Sequence, residues 1–107
     1  MRRVTIPGTD LNASVLSLGT NRFGSELEAG ASQALLEAFV AAGGNFIDTA
    51  HIYADWIPSA PRSASEKTLG AWLKSSGRRD QIVLATKGGH PDLATLHRSR
   101  LALADLE

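Results

Sequence analysis

Three times in 107 residues, a strand-length apolar run ends on glycine or a polar side chain and gives way to helical spacing. That alternation constrains the fold more than any other feature, because strands joined through helices return to the same end of a sheet and pair in parallel. The units run over about 14–43, 44–77 and 81–107. Ahead of them, Val4-Thr5-Ile6 and the run from Leu11 flank Pro7-Gly8, which predicts a hairpin over about 4–13. Three short buried strands with their helices suit an open parallel sheet or the beginning of a (β/α) barrel.

Side-chain periodicity refines each unit. Over 11–19, Val15, Ser17 and Gly19 share one face while Leu16 and Leu18 share the other, so one strand with a crowded inner face is expected. The loop Gly19-Thr20-Asn21-Arg22-Phe23-Gly24 follows at its carboxyl end, where backbone can approach a ligand closely, although it lacks the spacing of a phosphate loop. Ala34, Leu35, Ala38, Phe39 and Ala42 recur at helical spacing over 31–42, and Gly43-Gly44 supplies a left-handed stop. Ser63-Ala64-Ser65-Glu66 fits a capping box that opens a helix with Leu69, Trp72 and Leu73 on one face, ending at Ser76-Gly77. In the third strand, 81–87, Val83, Ala85 and Lys87 oppose Ile82, Leu84 and Thr86. Past Gly88-Gly89-His90-Pro91 the chain reads as loop to about Leu101 and as helix from near Ala102.

The chemistry gathers where the strands end. The second strand closes on Asp48 and the third on Lys87, and sequential parallel strands are usually neighbours ~4.8 Å apart. Two such charges on one inner face are expected to pair, because an isolated buried charge costs several kcal/mol. Tyr53 follows Asp48 by five residues and can fold back over the same mouth. A phenol beside an ammonium is more easily ionised, so Tyr53 is a candidate general acid. An aspartate and a lysine at strand ends also serve as a purely structural pair, and a loop tyrosine as packing.

Other readings compete at the same mouth. Asp48, His51 and His90 could form a metal-ligand set in a barrel hydrolase, though no HxH or HExxH spacing supports it. Trp72 lies on a helical apolar face and reads as core, whereas Trp56, in the Pro-bounded loop, could line a pocket. Acidic and basic residues balance at 11 each, so no charge surplus points to nucleic acid or an anionic membrane. The absence of cysteine removes disulfides and thiolate metal sites. No run approaches the ~18 apolar residues of a membrane span, and a cytoplasmic protein is expected.

Four motifs in order, Leu18-Gly19-Thr20, Gly44-Asn45-Phe46-Ile47-Asp48-Thr49-Ala50 with Tyr53, Ser65-Glu66-Lys67-Thr68-Leu69-Gly70, and Ala85-Thr86-Lys87, cover most of the chain. Together they resemble the N-terminal third of the aldo-keto reductases. The resemblance implies an α/β fold, the first part of a (β/α)8 TIM barrel with a hairpin plugging its floor and about three of its eight strands. It implies NADPH-dependent reduction of aldehydes or ketones by a longer protein, with this N-terminal portion inactive alone. A non-catalytic, cofactor-sensing member of the same fold is the alternative.

The first three members of the family's Asp, Tyr, Lys and His tetrad fall on Asp48, Tyr53 and Lys87. Its histidine follows a fourth strand, and none of His51, His90 and His97 takes that place. The resemblance assigns Gly19, Thr20, Asn21 and Asp48 to NADP(H), and Phe23 and Trp56 to a pocket for a small carbonyl substrate. Eleven residues separate Tyr53 from Ser65, as in members with a lengthened loop over the substrate mouth.

Overall fold

The computed structural model describes residues 1–106. Strands β1 (Arg3–Thr5) and β2 (Asn12–Ser14) form an antiparallel hairpin, with Val4 opposite Ala13. A second sheet holds β3 (Ser17–Gly19), β4 (Phe46–Asp48) and β5 (Val83–Ala85) in that order, all parallel. Helix α1 (Ala29–Ala41) connects β3 to β4, α2 (Ala64–Ser76) connects β4 to β5, and α3 (Leu103–Leu106) follows β5. No helix among the described residues is long and apolar enough to cross a membrane.

The hairpin is anchored to the sheet by Asn45, which is almost fully buried. Its side-chain Oδ1 accepts the Ser14 amide at 2.7 Å, its Nδ2 donates to the Asn12 carbonyl at 3.0 Å, and its own amide donates to Ser14 Oγ at 3.1 Å. A buried carboxamide is tolerated because nearly all of its capacity is used.

The run 11–19, expected as one strand, is two. The hairpin closes with the Val15 amide on the Arg2 carbonyl at 3.0 Å, the chain bends at 15–16, and β3 then takes β4 as its partner. A change of hydrogen-bonding partner resets the face that each side chain presents, so Leu16 emerges 61% exposed.

The buried stripe of α1 also differs from the expected one. Ser32 and Leu36 are fully buried with Phe39 and Val40 packed behind them, whereas Ala34, Leu35 and Ala38 face outward. Alanine-rich helices carry a weak apolar moment, so docking decides the face. Ser32 fits inside because its hydroxyl donates to the Leu27 carbonyl at 3.0 Å. At the helix end Gly43 takes a φ of +85°, and a Cβ on Gly44 would stand 2.4 Å from the Phe39 ring, so the glycine pair both stops the helix and admits that ring.

Helix α2 lacks the expected capping box. Ser63 sits in the left-handed region at φ 54°, and its side chain makes no cap bond. Its hydroxyl lies 3.3 Å from His51 Nδ1, while Glu66 Oε1 accepts Thr86 Oγ1 at 2.6 Å. The positive φ turns the Ser63 side chain away from the amides it would cap. Gly77, at φ 65°, ends the helix as expected.

The core lies between the sheet and the two helices: Phe23, Leu36, Ile47, Leu69, Trp72 and Ile82. Trp72 is core as expected, and its Nε1 donates to Glu37 Oε1 at 2.7 Å, joining α2 to α1. The third strand is shorter than expected, because Arg79–Gln81 form a 3-10 turn and ladder pairing begins only at Val83. Sheet pairing among the described residues ends at β3 on one side and β5 on the other, so these three strands form an unclosed arc.

Candidate active site

Parallel register brings the polar groups together. Gly19 stands opposite Asp48, and Asp48 opposite Ala85, two residues before Lys87. The ladder outlasts the strands: the Thr49 amide donates to the Ala85 carbonyl and the His51 amide to the Lys87 carbonyl, both at 2.9 Å. The chain then turns sharply, with the Tyr53 amide on the Ala50 carbonyl at 3.1 Å, which returns the phenol to the mouth.

Asp48, Tyr53 and Lys87 meet there. Lys87 Nζ donates to Asp48 Oδ1 at 2.7 Å and to the Thr49 carbonyl at 2.9 Å. The Tyr53 hydroxyl donates to Asp48 Oδ2 at 3.1 Å, so one carboxylate holds both groups by separate oxygens. The lysine nitrogen also lies 4.8 Å from the centroid of the Tyr53 ring. The hydrogen bond that Lys87 donates to Asp48 raises the lysine's pKa above its ordinary value; burial opposes this, and Tyr53 adds to the rise. The ammonium form is therefore secured throughout the neutral range.

Behind Asp48 lies a buried cluster of three hydroxyls. Ser65 Oγ donates to the Thr20 carbonyl at 2.7 Å and lies 2.7 Å from Thr20 Oγ1 and 2.9 Å from Thr49 Oγ1. Thr20 Oγ1 donates to the Asp48 carbonyl at 2.9 Å. Thr20 was expected to face the cofactor, but it has no exposed surface and serves instead to tie β3, β4 and α2 together beneath the carboxylate. Ser65 and Thr49 drew no role from spacing, since nothing in a lone serine announces that it will be fully buried.

Phe23 requires a similar correction. Expected at the substrate pocket, it is 2% exposed and packs in the hydrophobic core. The loop doubles back, with the Gly24 amide on the Leu27 carbonyl at 2.9 Å, and tucks the ring beneath the sheet. Gly19 and Asn21 remain exposed at the end of β3, and a Cβ on Gly19 would meet nothing within 4 Å. Trp56 stands at the mouth, 45% exposed, with its ring 6.2 Å from that of Tyr53 at an interplanar angle of 70°.

The loop carrying Trp56 is braced. Asp55 Oδ1 accepts the Ser63 amide at 2.7 Å, and Arg62 spans from Asp55 Oδ2, at 3.6 Å, to Asp92 Oδ1, at 2.5 Å. Arg100 reaches the same Asp92 oxygen at 3.2 Å. The Arg62 hydrogen bond holds the Asp92 carboxyl below the usual carboxylate range.

The histidines do not assemble. His51 turns toward Ser63 and lies 3.9 Å from Glu66 Oε2, His90 Nδ1 lies 2.6 Å from the Pro91 carbonyl, and His97 is exposed. Among the described residues, no three histidine, aspartate or glutamate side chains converge as ligands, so the set Asp48, His51 and His90 is not formed.

Residues 15–104 match the profile of the Aldo/keto reductase family. The chain belongs to that family. It is 40% identical over 93 residues to an aryl-alcohol dehydrogenase [NADP(+)] of Phanerodontia chrysosporium, a match covering 79% of this chain and 22% of that protein. It is 42% identical over 92 residues to the norsolorinic acid reductase stcV of Emericella nidulans, with the same coverages. Among solved structures it superposes on PA4992 of Pseudomonas aeruginosa, an assigned aldo-keto reductase, with a TM-score of 0.70 and 30% identity, covering 91% of this chain and 34% of that one. The chain thus spans 22% of the length of these two curated relatives. Its three strands and two long helices are an arc of the family's TIM barrel.

Proposed function

We propose that this chain carries the proton-donating corner of an NADPH-dependent reductase of aldehydes or ketones, whose barrel is completed by the remaining β/α units. The observation that carries this reading is the shared carboxylate: Asp48 holds Lys87 by one oxygen and Tyr53 by the other, with the ammonium beside the phenol ring.

A carbonyl oxygen gains negative charge as its carbon is reduced. Tyr53 rotates its hydroxyl hydrogen from Asp48 Oδ2 to that oxygen and gives up the proton. The fixed charge of Lys87 stabilises the phenolate left behind, which is electrostatic stabilisation by a preorganised group. Asp48 and the Thr49 carbonyl prevent the lysine from swinging into solvent. Asp48 is thus a positioning residue, and Tyr53 the acid.

The residues at the end of β3 fit one end of the dinucleotide. Gly19 leaves open space where a side chain would stand, and Asn21 offers an exposed carboxamide. Each Asp48 oxygen keeps acceptor capacity for a ribose hydroxyl. When bound, the dinucleotide supplies the hydride. The preference for NADPH rests on the relative named as NADP(+)-dependent and on the family resemblance. The balanced charge and the lack of a membrane-length helix among the described residues accord with a cytoplasmic enzyme acting on small molecules.

The test is NADPH consumption by the complete reductase with a panel of aldehydes. Tyr53→Phe is expected to lower kcat by about 10²–10⁴-fold, the usual worth of a general acid, while the far-ultraviolet circular dichroism stays unchanged. Turnover at the unsubstituted rate would remove Tyr53 from the reaction.

A further inference from the structure

An ion pair that faces water holds its geometry poorly, because a long side chain gains little there by keeping one arrangement. The Lys87 and Asp48 side chains are 51% and 35% exposed, so their fixed positions depend on what holds them from behind. The lysine's second acceptor is the Thr49 carbonyl, at 2.9 Å. The Asp48 carbonyl accepts both the amide and the hydroxyl of Thr20, at 3.1 and 2.9 Å. Thr49 and Thr20, both fully buried, are thus the points at which the pair is attached to the interior.

One atom joins those points. Ser65 Oγ lies 2.7 Å from the Thr20 hydroxyl and 2.9 Å from the Thr49 hydroxyl, and it donates to the Thr20 carbonyl. Three contacts use the whole capacity of a serine hydroxyl. A serine serving its own helix would turn to a nearby backbone group; this one, with no exposed surface, gives everything to the ends of β3 and β4. We propose that Ser65 is a positioning residue of the reaction, fixing through Thr49 the carbonyl that holds the Lys87 ammonium beside the Tyr53 ring, and through Thr20 the Asp48 peptide. The role rests on the reading of Tyr53 as the proton donor. The sheet ladder fixes the Thr49 amide on the Ala85 carbonyl, and Ser65 fixes the Thr49 side chain. Without the serine hydroxyl, the Thr49 peptide can tilt and the ammonium strays from the phenol, where its stabilisation of a phenolate falls with distance. Ser65 touches neither substrate nor dinucleotide, so the loss belongs to kcat and leaves KM unchanged.

The experiment measures kcat per folded molecule, and KM, for the complete reductase with NADPH and an aldehyde that the unsubstituted enzyme reduces. The variants are Ser65→Ala, Thr49→Val, Lys87→Met, Ser65→Ala combined with Lys87→Met, and Tyr53→Phe. Ser65→Ala is expected to lower kcat about three- to tenfold, the net worth of one hydrogen bond, with both KM values unchanged. Thr49→Val keeps the carbonyl and the size of the side chain but removes its hydroxyl, so it should act alike and carries the test if Ser65→Ala does not fold. Once Lys87 is methionine, adding Ser65→Ala should no longer lower kcat, because the route through the lysine is gone. An undiminished fall in that background overturns the proposal, as does an unchanged kcat in Ser65→Ala and Thr49→Val with only the thermal midpoint lowered, since the hydroxyl would then serve the fold alone. The Tyr53→Phe arm separates this from the parent reading. Turnover there at the unsubstituted rate removes the proton donor and the serine's role with it; lost turnover there, with kcat unmoved in Ser65→Ala and Thr49→Val, removes only the serine's role.

Discussion

Adjacent residues of β4 live in different chemistries. Ile47 points outward beneath the helices with no exposed surface, packed in the core with Leu36, Leu69 and Trp72. Asp48, one residue on, points to the other face, its side chain 35% exposed and holding a lysine and a phenol. The pleat alone separates them, since successive side chains of a strand leave opposite faces. One face is saturated by contacts that need no partner beyond the chain; the other holds polar groups prepared for something that arrives. Stability and chemistry can therefore be perturbed independently within 4 Å of backbone.

Substitutions on the two faces should separate those properties. The largest expected effect is at the mouth: Lys87→Met removes the charge beside Tyr53 and should lower kcat of the complete reductase by about 10²-fold or more, the worth of one preorganised electrostatic group. Because the lysine side chain is 51% exposed, the thermal midpoint should move little. A large fall in the midpoint alongside the rate would show that the two faces are not independent. On the other face, Leu36→Ala should destabilise by about 2–5 kcal/mol, measured by urea unfolding, with no change in the pH profile of the surviving activity. A shifted profile would mean that the core reaches the mouth.

The smallest effect is alkaline. Since the Lys87 pKa is raised by Asp48, the stability it contributes is fully present below the ordinary lysine value and is lost as pH rises through the higher folded value. Unfolding midpoints should therefore be flat from neutrality to moderately alkaline pH and should fall above the ordinary lysine range. In Lys87→Met that last decline should diminish; an identical decline would assign it to other groups.

What could be read from the sequence divides along the same line. The meeting of Asp48 and Lys87 needed only the period of two, the adjacency of sequential strands and the cost of an unpaired charge, all local rules. The hairpin at Pro7-Gly8 and the helix stops at Gly43 and Gly77 followed from turn chemistry. Phe23 and Thr20 lie deeper than expected, and Ala34, Leu35 and Ala38 face outward, because their environments depend on which element lies against them. Ser63 was misjudged because serine followed by glutamate three residues later is compatible with a left-handed turn as well as with a cap. The motifs that carried the family resemblance proved sound as markers of fold even where the side chains within them, such as Thr20, turned inward.

The hydroxyl cluster under Asp48 has an arithmetic of its own. Thr20, Thr49 and Ser65 bring three hydroxyl hydrogens to four close contacts: two between hydroxyls, one to the Thr20 carbonyl and one to the Asp48 carbonyl. At any instant one contact goes without a hydrogen, and the vacancy can pass between contacts as the hydroxyls rotate, with no heavy atom moving. The junction of β3, β4 and α2 is thus rigid in its atoms and degenerate in its protons. It retains a small entropy in a place where packing leaves room for none.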